Sequence, residues 1–456
     1  MTRSPDGGDA GRTRVARSPR LFGVLLICFL TVIFDGYDII VYGSVLPGLL
    51  HEPGWHLGTA EAGAIGSYAL VGMLFGALVS GPLADRIGRR RLILAAVTWF
   101  TVFTVLTAFA PSVTVFGLLR LLTGLGLGGV LPSAVAFTVE FAPPGRRQMF
   151  NGLMSIGFPL GGILAAVLGL VLLAPFGWRS MFLAGAAPAV LILPFAFAFL
   201  PESPAYLYAH GRIDEAKRTA RRFGLVLADT ETDSGREATG LRSVLSRRHF
   251  RATVVFGLAS LCALLLTYGL NTWLPQIMQQ SGYALGSSLR FLLALNLGSI
   301  VLSTIAAIAA DRFGPKIAVL AAFVAAGLSL LLLGLRVAPG LLVLAVAVAG
   351  LGGTGTQALI HGYVAAHYSP GARGSALGVV LATGRIGAIL GPIVGGLILA
   401  SGAALGWNFV VFALPALLGA GLIACGPRTA GRPRPPAPGP AAEPPREAAS
   451  PHSGNG

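Results

Sequence analysis

Two acids stand three residues apart in the run Phe34-Asp35-Gly36-Tyr37-Asp38, inside an otherwise apolar stretch. That spacing predicts one shared helix face. Neighbouring carboxylates in an apolar surrounding resist joint ionisation, so Asp35 and Asp38 could take up and release a proton. The plainer reading is a structural pair satisfied by nearby donors. A lone cation, Arg385, sits in the apolar run Thr383-Gly384-Arg385-Ile386-Gly387-Ala388. Its planar fork fits a carboxylate with two hydrogen bonds. The anion could be an acid of the first helix or a carboxylate ligand, and alternation between the two would couple them. A permanent ion pair joining two parts of the molecule is the alternative. Neutral polar and aromatic groups complete the candidate binding set: Tyr37, Tyr42, Asn271, Trp273, Gln276, Gln357 and His361, with Thr267 and Tyr268 nearby. Tyr and Trp suit an aromatic ring in a mostly apolar pocket. Trp273 equally suits an anchor at the edge of an apolar segment, and His361 a neutral, hydrogen-bonded histidine. Arg120 and Glu140 lie twenty residues apart on one helix, about 30 Å, and so cannot pair. Arg120, toward the outer side, is a candidate for attracting anions or a structural residue.

The elements that must hold these residues follow from composition. Of 456 residues, 54% are hydrophobic and only 11% charged, against about 25% charged in soluble domains. Twelve runs are long enough to span a bilayer: 21–48, 60–83, 91–110, 113–141, 150–174, 180–200, 252–275, 288–310, 316–336, 340–367, 374–400 and 404–426. They are continuous rather than alternating, which excludes a β-barrel. Residues 1–20 form a polar tail, 201–251 a central loop with a short amphipathic helix over Ile213–Phe223, and 427–456 a Pro-rich tail expected to be disordered. The 63 glycines and 30 prolines fit membrane helices, where small residues let backbones approach.

Net charge is +15, but its distribution argues against nucleic acid. Only Arg179, Arg290 and Arg336 fall on one side of the alternating segments, and only Arg120 and Arg385 inside them. Every other Lys and Arg lies on the side of the tails and the central loop. That asymmetry predicts both termini in the cytoplasm of a cell whose inner membrane the chain spans, with the basic residues near anionic lipid. The three cysteines, Cys28, Cys262 and Cys425, have no metal or disulfide spacing. There is no phosphate-binding GxxxxGK[ST] loop and no metal-ligand motif. No enzyme is expected and no cofactor; a proton gradient would drive the protein.

A weak repeat appears at an offset of 226 residues: Ala84-Asp85-Arg86-Ile87-Gly88 against Ala310-Asp311-Arg312-Phe313-Gly314, and Pro144-Gly145 against Pro370-Gly371. Slightly out of step, Gly177-Trp178 matches Gly406-Trp407. It predicts two six-helix halves, residues 21–200 and 252–426, rocking around a site between them. The positions of Asp35, Asp38 and Arg385 break the repeat, being Leu261, Leu264 and Pro159 in the other half. The short basic loops suit gates, with Asp85, Arg86, Gly88, Arg89, Glu140, Asp311 and Arg312 as gating candidates.

The stretch from Gly81 to Arg90 resembles the loop signature of the major facilitator superfamily, and Asp311-Arg312-Phe313-Gly314 its degenerate second copy. Asp35-Gly36-Tyr37-Asp38, Arg120 to Gly129, Pro201-Glu202-Ser203-Pro204, Tyr268 to Pro275 and Gly384 to Pro392 are similar to motifs of its aromatic acid:proton symporter family, over residues 20–426. The resemblance implies an all-α polytopic membrane protein with the major facilitator fold, importing benzoate, hydroxybenzoates or similar acids with protons, and acting as a monomer. It implies that Asp35 and Asp38 are needed for transport, that Asp85 belongs to the gating loop and that Arg385 is functional. Uptake of another organic acid, efflux of drugs or aromatic products, and a non-transporting membrane sensor are the rivals.

Overall fold

The computed structural model describes residues 19–142, 147–223, 225, 244, 246–335 and 338–427. The tails 1–18 and 428–456, residues 224, 226–243 and 245 of the central loop, Arg336 and the repeat residues Pro144 and Gly145 lie outside the described residues. Twelve helices are long and apolar enough to cross a membrane: α1 (Leu21–Leu49), α2 (Thr59–Ile87), α3 (Arg89–Thr107), α4 (Val113–Phe141), α5 (Gly152–Phe176), α6 (Arg179–Phe199), α7 (His249–Gln280), α8 (Leu285–Phe313), α9 (Pro315–Leu333), α10 (Pro339–His367), α11 (Gly371–Ala400) and α12 (Gly406–Ala424). A helix satisfies its own backbone groups, which is why it can stand in lipid. The chain is a multi-pass membrane protein. Between the halves, the helix Ile213–Phe223 has Asp214 and Glu215 in its first turn and Arg221 and Arg222 in its last, matching its dipole. Its apolar side buries Ala216, Ala220 and Phe223, the last edge-on to Phe141 at 5.3 Å.

The helices outrun their expected limits at the basic end. Asp85, Arg86, Asp311 and Arg312 lie in the last turns of α2 and α8, not in loops. A single glycine makes each reversal: Gly88 at φ 95° and Gly314 at φ 92°, both at ψ 151°. Residues with a Cβ rarely adopt that backbone, so one residue suffices where it is glycine. The repeat is thus conformational as well as sequential.

The helix Arg147–Ala184 carries α5 and the start of α6, with a kink between the two spans at Gly177 (φ 70°, ψ −178°). Two spans are interrupted, α6 and α10. Beyond Ala184, α6 continues as the separate pieces Ala187–Leu191 and Leu193–Phe199. In α10, helix Pro339–Gly350 passes through a π-turn, Leu351–Gly355, with Gly353 off-helical (φ −89°, ψ −111°), before Thr356–His367.

At the end away from the basic turns the two halves touch through glycines. A methyl on Gly43 (α1) would overlap the Asn271 backbone (α7), one on Gly63 (α2) the Pro392 carbonyl (α11), and one on Gly162 (α5) the Asn296 amide (α8). Ser67 donates to the Ile389 carbonyl at 2.6 Å across the same seam. At the basic end the halves stand apart around a cavity of about 1320 Å³, lined by α5, α8 and α10, including Pro159, Ser303, Asp311, Arg312, Ala358 and Gly362. Within the first half, the far end is tied down. Glu52 accepts from Trp178 Nε1 at 2.8 Å and from Arg179 at 2.7 Å, and Arg179 stacks on the Trp178 ring at 4.3 Å. The repeat-related Trp407 is exposed.

Candidate functional site

The two acids of α1 do not form a carboxylate pair. Asp38 is enclosed within the first half. Its Oδ2 receives Arg120 Nη1 at 2.6 Å, its Oδ1 the Thr104 hydroxyl at 2.5 Å, and its backbone carbonyl Arg120 Nη2 at 2.9 Å. Both charged side chains are 2% exposed. Of the two readings open for Arg120, this favours the structural role over the attraction of anions. A buried guanidinium must be paired, and its partner lies 82 residues back along the chain.

Asp35 is as deeply buried but accepts no hydrogen bond and closes no ion pair among the described residues, and its Oδ1 has no partner. The charge it faces across the halves is Arg385, which lies within electrostatic range without an ion pair. Arg385 is partly exposed and lies within electrostatic range of Tyr268. The Phe158 ring stands edge-on to Tyr268 at 5.7 Å, again across the halves, and its neighbour Pro159 lines the cavity. Four helices therefore bring together an acid, a cation and two aromatic rings. A second polar group lies close by: Gln357 bonds Ser260 on α7 at 2.9 Å and His361 Nε2 at 2.8 Å.

Other expected ligand contacts lie elsewhere. The Tyr37 and Tyr42 hydroxyls donate to the carbonyls of Met181 and Ala62, each at 2.6 Å, inside the first half. Trp273 is no boundary anchor and no cavity residue. It is fully buried, with its N–H on the Pro392 carbonyl at 2.7 Å, where Gly395 makes room for the ring. Asn271 accepts from Asn296 at 2.9 Å beside a separate hollow of about 10 Å³, and Gln276 is enclosed in α7. An unbranched helix pattern marks which residues are polar, not which neighbour each one meets.

At the basic end Arg89 pairs with Glu140 at 2.8 Å, and Glu140 also accepts from the Ser203 hydroxyl and the Ala205 N–H. The Arg90 N–H reaches Glu202 at 3.0 Å, packed against Gly88, and Tyr206 reaches the Arg86 carbonyl at 3.2 Å. Asp85 is exposed, whereas Asp311 and Arg312 line the cavity mouth. Thr104, Phe158 and Ser260 were not distinguishable as site residues. All are uncharged, and their partners stand 66, 110 and 97 residues away. No cluster of three His, Cys, Asp or Glu that could hold a metal occurs among the described residues.

The profile of the Major Facilitator Superfamily matches residues 28–302 and 291–452. The chain belongs to that superfamily. It is 41% identical to the gentisate transporter of Corynebacterium glutamicum over 90% of this chain and 88% of that protein. It is 33% identical to the benzoate transport protein of Acinetobacter baylyi over 88% of each. Its fold resembles the xylose transporter XylE of E. coli in a partially occluded inward-open conformation, with a TM-score of 0.70 at 18% identity, covering 90% of this chain and all of that one. The relatives are transporters, not enzymes.

Proposed function

We propose that this superfamily member is a proton-coupled symporter that imports an aromatic monocarboxylate by alternating access. One chain supplies both halves of the site, so a monomer suffices. The chain lies in the inner membrane with its basic end, and both termini, in the cytoplasm, following the charge asymmetry. The observation that carries the reading is the open pair: Asp35 without a partner, facing Arg385 without an anion. Gentisate and benzoate, the cargoes named for two relatives, share a benzene ring and one carboxylate, which match the two aromatic rings and the single arginine.

A buried acid is neutralised by a proton or by a cation. With Asp35 protonated, Arg385 is free to take the cargo carboxylate through two charge-assisted bonds, while Phe158 and Tyr268 flank the ring. The halves rock, the seam at the far end closes, and the cavity opens at the basic end. Loss of the proton returns Asp35 to Arg385 and displaces the cargo.

The test is uptake of radiolabelled gentisate and benzoate by proteoliposomes, with and without an inward proton gradient. The parent accumulates at least one of them only with the gradient. Asp35→Asn, a mimic of the protonated acid, loses accumulation yet still exchanges labelled for unlabelled cargo. Arg385→Lys keeps the charge but loses the fork, and weakens binding about tenfold or more. Accumulation of a dicarboxylate but of neither aromatic acid would reject the reading.

A further inference from the structure

Beside Arg385 a chain of polar side chains crosses from α7 to α10. Ser260 abuts Gly384 so closely that a methyl there would overlap its hydroxyl. The Ser260 hydroxyl lies 2.9 and 3.1 Å from the Gln357 amide, whose nitrogen lies 2.8 Å from His361 Nε2. Ser260 and Gln357 are buried. His361 is partly exposed, next in the chain to Gly362, which lines the cavity.

Gln357 occupies one ring nitrogen of His361. The other, Nδ1, has no partner among the described residues and is not one of their fully enclosed unpaired atoms. If Nε2 accepts from the amide, Nδ1 carries the proton and donates; with the amide reversed, Nδ1 accepts. A phenolic hydroxyl satisfies either state, because it both donates and accepts. A staple between α7 and α10 would be complete with Ser260 and Gln357; the imidazole beyond them is fixed in direction and left with one free position.

We propose that His361, oriented by Gln357 and Ser260, binds a ring hydroxyl of the cargo, so that the carrier selects hydroxylated aromatic acids over the bare ring. The inference rests on the aromatic-carboxylate reading above and adds a second fixed point to it. Arg385 holds the carboxylate, His361 the hydroxyl, and the ring lies between them against Tyr268 and Phe158. A cargo without the hydroxyl displaces water from the imidazole nitrogen and gives nothing back, which is how a polar site rejects an analogue lacking the matching group.

Binding to the detergent-purified full chain tests this without depending on orientation or coupling. Labelled benzoate is displaced by unlabelled benzoate, 3-hydroxybenzoate, 4-hydroxybenzoate and gentisate. At least one hydroxylated acid binds the parent about tenfold tighter than benzoate. His361→Phe brings that ratio to within about twofold and leaves the affinity for benzoate itself within about threefold. Gln357→Met, which releases the imidazole without removing it, also lowers the ratio and decides the matter should His361→Phe not fold. His361→Asn restores part of the preference. Equal affinity of the parent for all four acids overturns the proposal, as does an unchanged ratio in both variants. A uniform loss for benzoate and hydroxybenzoates alike makes the chain a helix staple only. If no aromatic acid binds the parent, the aromatic-carboxylate reading itself falls, and this inference with it.

Discussion

Replacing Asp38 by Asn would leave the buried Arg120 guanidinium without a countercharge, facing a neutral amide, the backbone and the Phe182 ring. Breaking a buried pair by removing one partner costs about 3–5 kcal/mol, whereas removing both can be nearly neutral. Asp38→Asn and Arg120→Gln are each expected to lower the melting temperature of the purified protein sharply, and the double variant to recover most of the loss. Asp35→Asn should cost little or stabilise, because its Oδ1 has no bond to lose. Melting curves in detergent that rank Asp35→Asn below Asp38→Asn would refute this division between a structural acid and a working one. The sequence showed both acids and both arginines as anomalies in apolar helices. Which acid meets which arginine was not legible, because the choice depends on the direction each side chain takes from α1, and a spacing of three permits either.

Helix contacts decide which end of the molecule is shut. Gly43 lies against the Asn271 backbone only while α1 and α7 are together at the far end, so a side chain there acts on one conformation and spares the other. Gly43→Ala should hold the far end open, raising thiol labelling of cysteines placed along the seam and slowing transport. Unchanged labelling with slowed transport would contradict that account. A second element-level effect concerns the turn after α1. Burial pushes Glu52 up, but bonds from Trp178 and Arg179 and the charge of Arg179 outweigh it, leaving Glu52 below the usual carboxylate range. A depressed carboxylate adds stability that is complete above its unfolded value, about 4.3 for Glu. That stability is lost as pH falls through the folded value. Glu52→Gln should therefore cost up to about 1 kcal/mol near neutral pH and flatten the acid limb of melting temperature against pH; an identical acid limb in parent and variant would dismiss the latch. Spans and their order were readable from hydropathy, and Ile213–Phe223 from its charges. The extra turns holding Asp85 and Asp311 were not, since polar residues end a hydropathy run before they end a helix. Nor was the burial of Trp273, whose slot is made by Gly395 more than a hundred residues away.

For the whole molecule, the pairing of Asp38 leaves Asp35 as the one α1 acid free to exchange a proton. One proton with one monoanion moves no net charge, so uptake should follow the pH gradient, worth about 1.4 kcal/mol per unit, and ignore the membrane potential. Liposomes clamped at different voltages are expected to show equal uptake and no current; a cargo-dependent current would require a second proton. The duplicated plan was legible because Gly88 and Gly314 repeat both residue type and backbone angles, but the unequal tying of the two far ends was not. One feature of the second half bears on how such a carrier moves. Above the π-turn, α10 is pinned to α8 where Gly298 meets Ala347 and Gly350 meets Leu295; below it Ala358, Leu359 and Gly362 line the cavity. In the proposed cycle, an elbow at Leu351–Gly355 would let the lower arm fold inward over a seated cargo while the upper arm stays still. The two doors of the passage then need not swing on one axle: a light inner shutter can fall first, trapping the cargo, and the heavy frame can turn afterwards.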